Sequence, residues 1–311
     1  MIISASRRTD IPAFYSEWFM NRVRDGYCLV ANPFNAKQVS RISLCPDRVD
    51  AIVFWSKNPA PLIPRLTELD SMGFRYYFQY TICDYPVELE PDVPPLADRT
   101  ATALELAKRV GPRRVIWRYD PIIISDHTDV EHHKRAFARI ASALHGATTR
   151  VVVSLVDYYG KVDRNLRPLE RSGWHFQKYS GAEPESRDLL RWIQEEAHRH
   201  GFETQSCAEA VNMSDLGIPH GKCIDDELLN ELWGIPLSRK DPGQRGECLC
   251  AASKDIGANN TCLHGCRYCY ATMSLAVAQE QNREHDPASP SLVGHAVVAE
   301  HCEPEIRQSL F

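Results

Sequence analysis

The sequence has no apolar run approaching the roughly 18 residues that a membrane-crossing helix needs, so no membrane partner is expected. Its opening stretch, MIISASRRTD, is too briefly apolar for a secretory signal, and a cytoplasmic location follows as the expectation. Strong charge of either sign is also missing. A formal net charge of −5 gives no overall attraction to a polyanion. Local basic pairs, Arg7-Arg8 and Arg113-Arg114, still leave a nucleic-acid partner open. There is no internal repeat, no low-complexity tract, and no Ser-His-Asp or paired-carboxylate arrangement. Gly243-Gln244-Arg245-Gly246 is too short for a phosphate loop. His132-His133 and His198-Arg199-His200 fall in helical segments, where adjacent rings point to different faces, and they read as solvated.

What the chain does have is cysteine, 11 among 311 residues. In a reducing compartment such a set points to metal or redox chemistry rather than to disulfides. Cys28, Cys45 and Cys83 are scattered, and Cys302 stands alone near the end. The other seven, Cys207, Cys223, Cys248, Cys250, Cys262, Cys266 and Cys269, crowd into one short stretch.

β-Branched runs alternate with segments of helical period, the pattern of a parallel α/β sheet or barrel. Strands are expected at Ile2–Ala5, Ala51–Trp55, Tyr76–Ile82, Val115–Arg118, Val151–Leu155 and Phe202–Ser206. Helices are expected near 13–24, 61–72, 99–109, 130–144, 187–200, 225–233 and 271–282. Asn32-Pro33-Phe34-Asn35 marks a hairpin inserted over 28–44. The expected plan is a partial (β/α) barrel of about six strands over 1–206, a Cys-rich segment over 207–282 that completes it, and a polar, poorly ordered tail over 283–311. Polar groups close nearly every strand: Arg7, Arg8, Thr9 and Asp10; Ser56 and Lys57; Asp120; Asp157 and Tyr158; Glu209. In parallel barrels such residues share one mouth.

The sharpest motif is Cys262-Leu263-His264-Gly265-Cys266-Arg267-Tyr268-Cys269, a C-x3-C-x2-C arrangement. Soft thiolates suit an iron–sulfur cluster or zinc. Three thiolates on a [4Fe-4S] cluster leave one iron open to a chelating ligand such as S-adenosylmethionine. Zinc would need His264 as its fourth ligand, and His264 lies between the cysteines where the short loop cannot bring it to the same ion.

This triplet, with an aromatic residue before its last cysteine, resembles the hallmark of the radical SAM superfamily. The following Tyr270-Ala271 is similar to a variant in the spore photoproduct lyase branch. There the triplet follows the first barrel strand, whereas here it lies close to the C-terminus. A circular permutation would reconcile the two. Thr9-Asp10, Ser56-Lys57 and Pro121-Ile122-Ile123 resemble elements that end the second, third and fifth strands of that branch. The chain, tail apart, also looks like a bacterial family often labelled photolyase-like, and the likeness covers most of residues 1–275.

The resemblance implies that Cys262, Cys266 and Cys269 ligate the cluster, that the Tyr268 backbone meets adenine, and that Thr9 and Lys57 hold the methionine end, with Asp10 and Ser56 beside them. Tyr270 would pack on adenosine or relay a hydrogen atom, or simply be a buried tyrosine with a partner. An electron donor such as flavodoxin or ferredoxin is implied. The branch places a hydrogen-donating cysteine where this chain has Arg7 and Arg8, so repair of a thymine photoproduct is not expected. The paired guanidiniums, with Asp120 at the same mouth, suit an anionic, small-molecule or nucleotide-like substrate, or else an ion pair with Asp10 or Asp120.

Cys207, Cys223, Cys248 and Cys250 remain. They would ligate a second [4Fe-4S] cluster or a closed zinc site, or stand as independent buried cysteines. Competing functions are a zinc-stabilised binding protein without catalysis and a nucleic-acid lesion enzyme of the photoproduct lyase type.

Overall fold

A computed structural model of the chain describes residues 1–33, 35–236 and 240–294. Parallel strands must be apolar on both faces, and each needs a return segment outside the sheet. The chain supplies both in turn. Strands β1 (Ile2–Ala5), β2 (Ala51–Ser56), β3 (Tyr76–Thr81), β4 (Val115–Ile122) and β5 (Arg150–Leu155) are buried along most of their length, and the edge strand β6 (Glu203–Ser206) buries Thr204 and Ser206. The segments between them carry α1 (Ile11–Phe14), α2 (Ser16–Asp25), α3 (Leu66–Ser71), α4 (Leu96–Val110), α5 (Val130–Ala143), α6 (Gly160–Arg171) and α7 (Pro184–Arg199). No described helix is long and apolar enough to cross a membrane. Helix α6 escapes the periodicity because it starts on Gly160, contains Pro168 and buries only Val162 and Leu166.

A seventh strand, β7 (Ser253–Asp255), corrects the expected count of about six. It reads Ser-Lys-Asp and carries no apolar signal. The sheet runs β6-β5-β4-β3-β2-β1-β7, parallel throughout, so the last strand in sequence lies beside the first. Among the described residues no ladder joins the edge strands β6 and β7.

The two sheet faces are covered differently. Ile3, Ala5, Ile52, Phe54, Tyr76 and Phe78 pack toward the helices, with Trp18, Phe19, Leu66 and Leu106. On the other face Ile2, Ala51, Val53, Tyr77, Ile116 and Val152 meet Cys223, Ile224, Cys248 and Cys250, and also Leu228 and Leu229 of α8 (Asp226–Trp233). Burying apolar area at roughly 25 cal/mol per Å² makes this covering part of the core.

The hairpin forms as expected, Tyr27–Asn32 against Asn35–Ser43. Phe34 of its turn lies outside the described residues. Over 283–294 the tail departs from expectation, and 295–311 lie outside the described residues. Beyond α9 (Leu275–Arg283), the chain runs back over α2. Trp18 Nε1 donates to Ser289 O at 3.0 Å, Arg22 Nη2 to Ala288 O at 2.9 Å, and Leu29 N to Pro290 O at 2.8 Å. Such backbone acceptors are invisible to a polarity reading. Cys302 lies outside the described residues.

His133 also departs from its solvated reading. It is fully buried, with Tyr119 Oη 2.8 Å from Nδ1 and Ile123 O 2.9 Å from Nε2. A neutral ring protonated on Nε2 satisfies both contacts. Burial, aided by neighbouring His132, lowers its pKa from 6.5 to about 4. The unfolded chain therefore takes up this proton first, and the associated stability is full above pH 6.5 and lost as pH falls through 4. Thermal melts from pH 7 down to 4 should record a loss of about 3 kcal/mol from this residue, and His133→Gln should flatten the slope. An unchanged slope in that variant would exclude His133 as the origin.

Candidate metal and cofactor site

One cavity of about 800 Å³ opens where the strands end, and every residue proposed above as ligand, cofactor contact or catalyst lines it. The segment after β1 brings Arg7, Arg8, Thr9 and Asp10; β2 ends in Ser56 and Lys57; β4 brings Arg118 and Asp120. Cys207 follows β6, and the loop after β7 carries Cys262, Cys266, Tyr268, Cys269 and Tyr270. This gathering is what parallel strands impose, since all their C-terminal ends share one edge.

His264 is turned away from any ion its neighbouring cysteines could share. Its Nε2 lies 2.8 Å from Asp10 Oδ2, its Nδ1 3.3 Å from Asp92 O, and its ring rests on Phe14. The three thiols line the cavity as a group. Burial raises the pKa of Cys262 and Cys266, and the charge of Cys269 adds to both. Thr272 N donates to Cys269 Sγ at 3.3 Å.

Asp10 and Ser56 are not free to hold a cofactor. Asp10 takes hydrogen bonds from Ala13 N (3.0 Å), Ser56 Oγ (2.8 Å) and Lys57 N (2.7 Å) besides its His264 contact, so it joins three loops. Thr9 is different. Its Oγ1 is buried at the cavity wall and has no partner. Lys57 Nζ donates to Glu90 Oε1 at 2.7 Å and sits over the Tyr268 ring, which leaves it two further N–H donors. Tyr268 also donates to Glu90. Burial works against the Glu90 charge, but Lys57 and Arg99 hold its carboxyl below the ordinary range.

The arginine pair divides. Arg8 Nε donates to Asp255 Oδ1 at 3.1 Å and its Nη2 to Asp255 O at 3.0 Å, so the ion pair is with Asp255 rather than with Asp10 or Asp120. Asp255 also accepts from Ser4 Oγ, Ser6 Oγ, Arg7 N and Gly257 N, fastening β7 to the end of β1. Arg7 lies 5.3 Å from the Trp55 ring centroid, and its Nη2 is buried without a partner. Tyr270 is 53% exposed on the rim, not buried, and its hydroxyl donates to Arg7 O at 2.7 Å. Asp120 is held by Arg118 and by the Ser154 hydroxyl.

A close approach secures this edge. A Cβ on Gly257 would stand 2.1 Å from Ser6 Oγ and 2.6 Å from Ser6 Cβ. Gly257→Ala should therefore lower stability by about 1–3 kcal/mol in denaturant titrations. A wild-type midpoint would show that the two loops are not in this contact.

The second set meets along one wall. Cys207 Sγ and Cys223 Sγ are 3.0 Å apart, and the Cys250 thiol is within hydrogen-bonding reach of both Cys223 and Cys248. Cys250 Sγ accepts from Cys223 N (3.2 Å) and Ile224 N (3.4 Å), while Arg118 Nη1 reaches Cys223 Sγ at 2.9 Å. A hydrogen bond from Cys250 lowers the Cys248 thiol to about 7. Nearby, burial raises the Glu209 carboxyl to about 8, and Asp157 and Asp120 add to it. The thiols meet as a hydrogen-bonded chain. Among the described residues no group of three or more His, Cys, Asp or Glu side chains stands ready around a single ion.

The profile of a domain of unknown function, DUF1848, matches residues 2–271. The chain belongs to the DUF1848 family. No curated protein matches it. In this DUF1848 chain the matched region takes in all seven strands of the parallel sheet and ends at Ala271, just past Cys269, so both cysteine groups lie inside it.

Sequence reasoning missed Glu90, Arg99 and Asp255 in the DUF1848 site. Glu90 and Arg99 come from the β3-to-β4 connection, where carboxylates and arginines read as solvated surface. Asp255 does close a strand, as the other mouth residues do. The signal was available had Ser253–Asp255 been read as a strand.

Proposed function

We propose that this protein is a radical SAM enzyme built on a circularly permuted (β/α) barrel, with Cys262, Cys266 and Cys269 as ligands of a [4Fe-4S] cluster. The observation that carries the reading is the strand order. Taken from β7, the sheet reads β7-β1-β2-β3-β4-β5-β6, so the cysteine loop follows the strand that stands first in space. The residues present fit the group: three partly buried thiols of one loop lining the cavity, an unpartnered Thr9 hydroxyl on the same wall, and His264 withdrawn from ligation.

Bound there with S-adenosylmethionine, the cluster would supply the electron that splits the sulfonium and yields the 5′-deoxyadenosyl radical for hydrogen abstraction from a substrate. The chain's own residues bind and orient. Thr9 Oγ1 offers a hydrogen bond to the methionine end, and Lys57 adds its two remaining N–H donors. Glu90 fixes Lys57 and Tyr268 in mutual position, which sets the cysteine loop against β2. The electron would come from a small donor such as flavodoxin or ferredoxin.

Anaerobic reconstitution with iron and sulfide tests this. The expected product is brown, holds about four irons per triplet, and changes its paramagnetic spectrum when S-adenosylmethionine is added. A colourless chain holding only zinc would end the reading in favour of a binding protein.

A further inference from the structure

The wall formed by Cys207, Cys223, Cys248 and Cys250 is built to face negative charge on sulfur. Neutral thiols are weak acceptors, and a buried guanidinium beside them would be left undercompensated. Yet two guanidiniums line the cavity that this wall bounds. Arg118, itself buried, extends Nη1 to within 2.9 Å of Cys223 Sγ. Arg7 lines the same cavity, and its Nη2 is buried without a partner. Two backbone amides also point at Cys250 Sγ. Arg118 shares its charge with Asp120, whereas no side-chain hydrogen bond of Arg7 occurs among the described residues.

We infer that these four cysteines ligate a second, fully thiolate-bound metal centre, zinc or a [4Fe-4S] cluster, with Arg7 and Arg118 as its counter-ions. Either metal would be a dianion: four thiolates around a dicationic zinc or cluster core leave two negative charges, which two guanidiniums offset. Binding displaces the thiol protons and draws the present chain of S–H contacts around the metal. The inference stands apart from the reading of the triplet.

The test starts with Cys262→Ala, Cys266→Ala and Cys269→Ala combined, which removes the triplet. This variant should still bind about one zinc, or about four irons with sulfide, per chain. Either result supports the centre and identifies its metal; a metal-free, folded chain overturns it. If the triple variant does not fold, Cys250→Ala in the otherwise intact chain should lower metal content by one whole centre, and unchanged content overturns the inference.

Arg7→Leu is the cleaner counter-ion variant, because the backbone contacts of Arg7 with Asp255 and Tyr270 survive it. It should lose metal to a chelator about 10- to 100-fold more readily, with circular dichroism unchanged and Arg7→Lys restoring most of the difference. Retention equal to that of the parent would remove Arg7 from the centre.

Discussion

Cys266→Ala should leave the anaerobically reconstituted chain without the iron of the triplet, about four atoms fewer per chain than the parent. Removing an outer hydrogen bond from a metal site typically weakens it 10- to 100-fold, and removing one of three ligands should exceed that. Cys266 is the sharpest choice because it lines the cavity together with Lys57 and both other cysteines of the triplet. The fold should survive. Tyr268 still donates to Glu90, and His264 still reaches Asp10, so the loop keeps its anchors. Iron and sulfide analysis against the parent, with a thermal melt as control, decides the matter. Full iron in Cys266→Ala would remove this residue from the ligand set.

Asp10→Ala should have the largest effect on stability, about 3–5 kcal/mol. The side chain is buried and collects donors from α1, from the end of β2 and from His264 in the cysteine loop. Alanine would strand several buried donors at once, each costing about 1–3 kcal/mol, with partial relaxation making the sum smaller than additive. The denaturant midpoint should fall, and reconstitution should become poorer because the loop bearing Cys262 and Cys266 loses its anchor. Stability within about 0.5 kcal/mol of the parent would show that these three loops are held by other contacts.

The long parallel strands were legible because burial on both faces leaves a continuous apolar run, as in Ala51–Ser56 and Arg150–Leu155. The gathering of strand-end residues was legible for the same reason, since parallel direction fixes which ends meet. Partnerships were not. That Arg8 belongs to Asp255 and Lys57 to Glu90 depends on register and crossover geometry over long separations in sequence. Strand β7 was hidden because its three residues are polar and its stability comes from Ser4, Ser6 and Arg8. His133 was misjudged because a helical histidine can turn inward when two acceptors or donors await it, here Tyr119 and Ile123. The segment over 283–294 looked like tail because its contacts are made by backbone carbonyls.

Reductive cleavage of S-adenosylmethionine is the step on which the functional reading depends. The reconstituted protein, incubated anaerobically with S-adenosylmethionine and dithionite, should release 5′-deoxyadenosine and methionine in about equal amounts. A folded chain carrying its full complement of iron that forms no 5′-deoxyadenosine would contradict it.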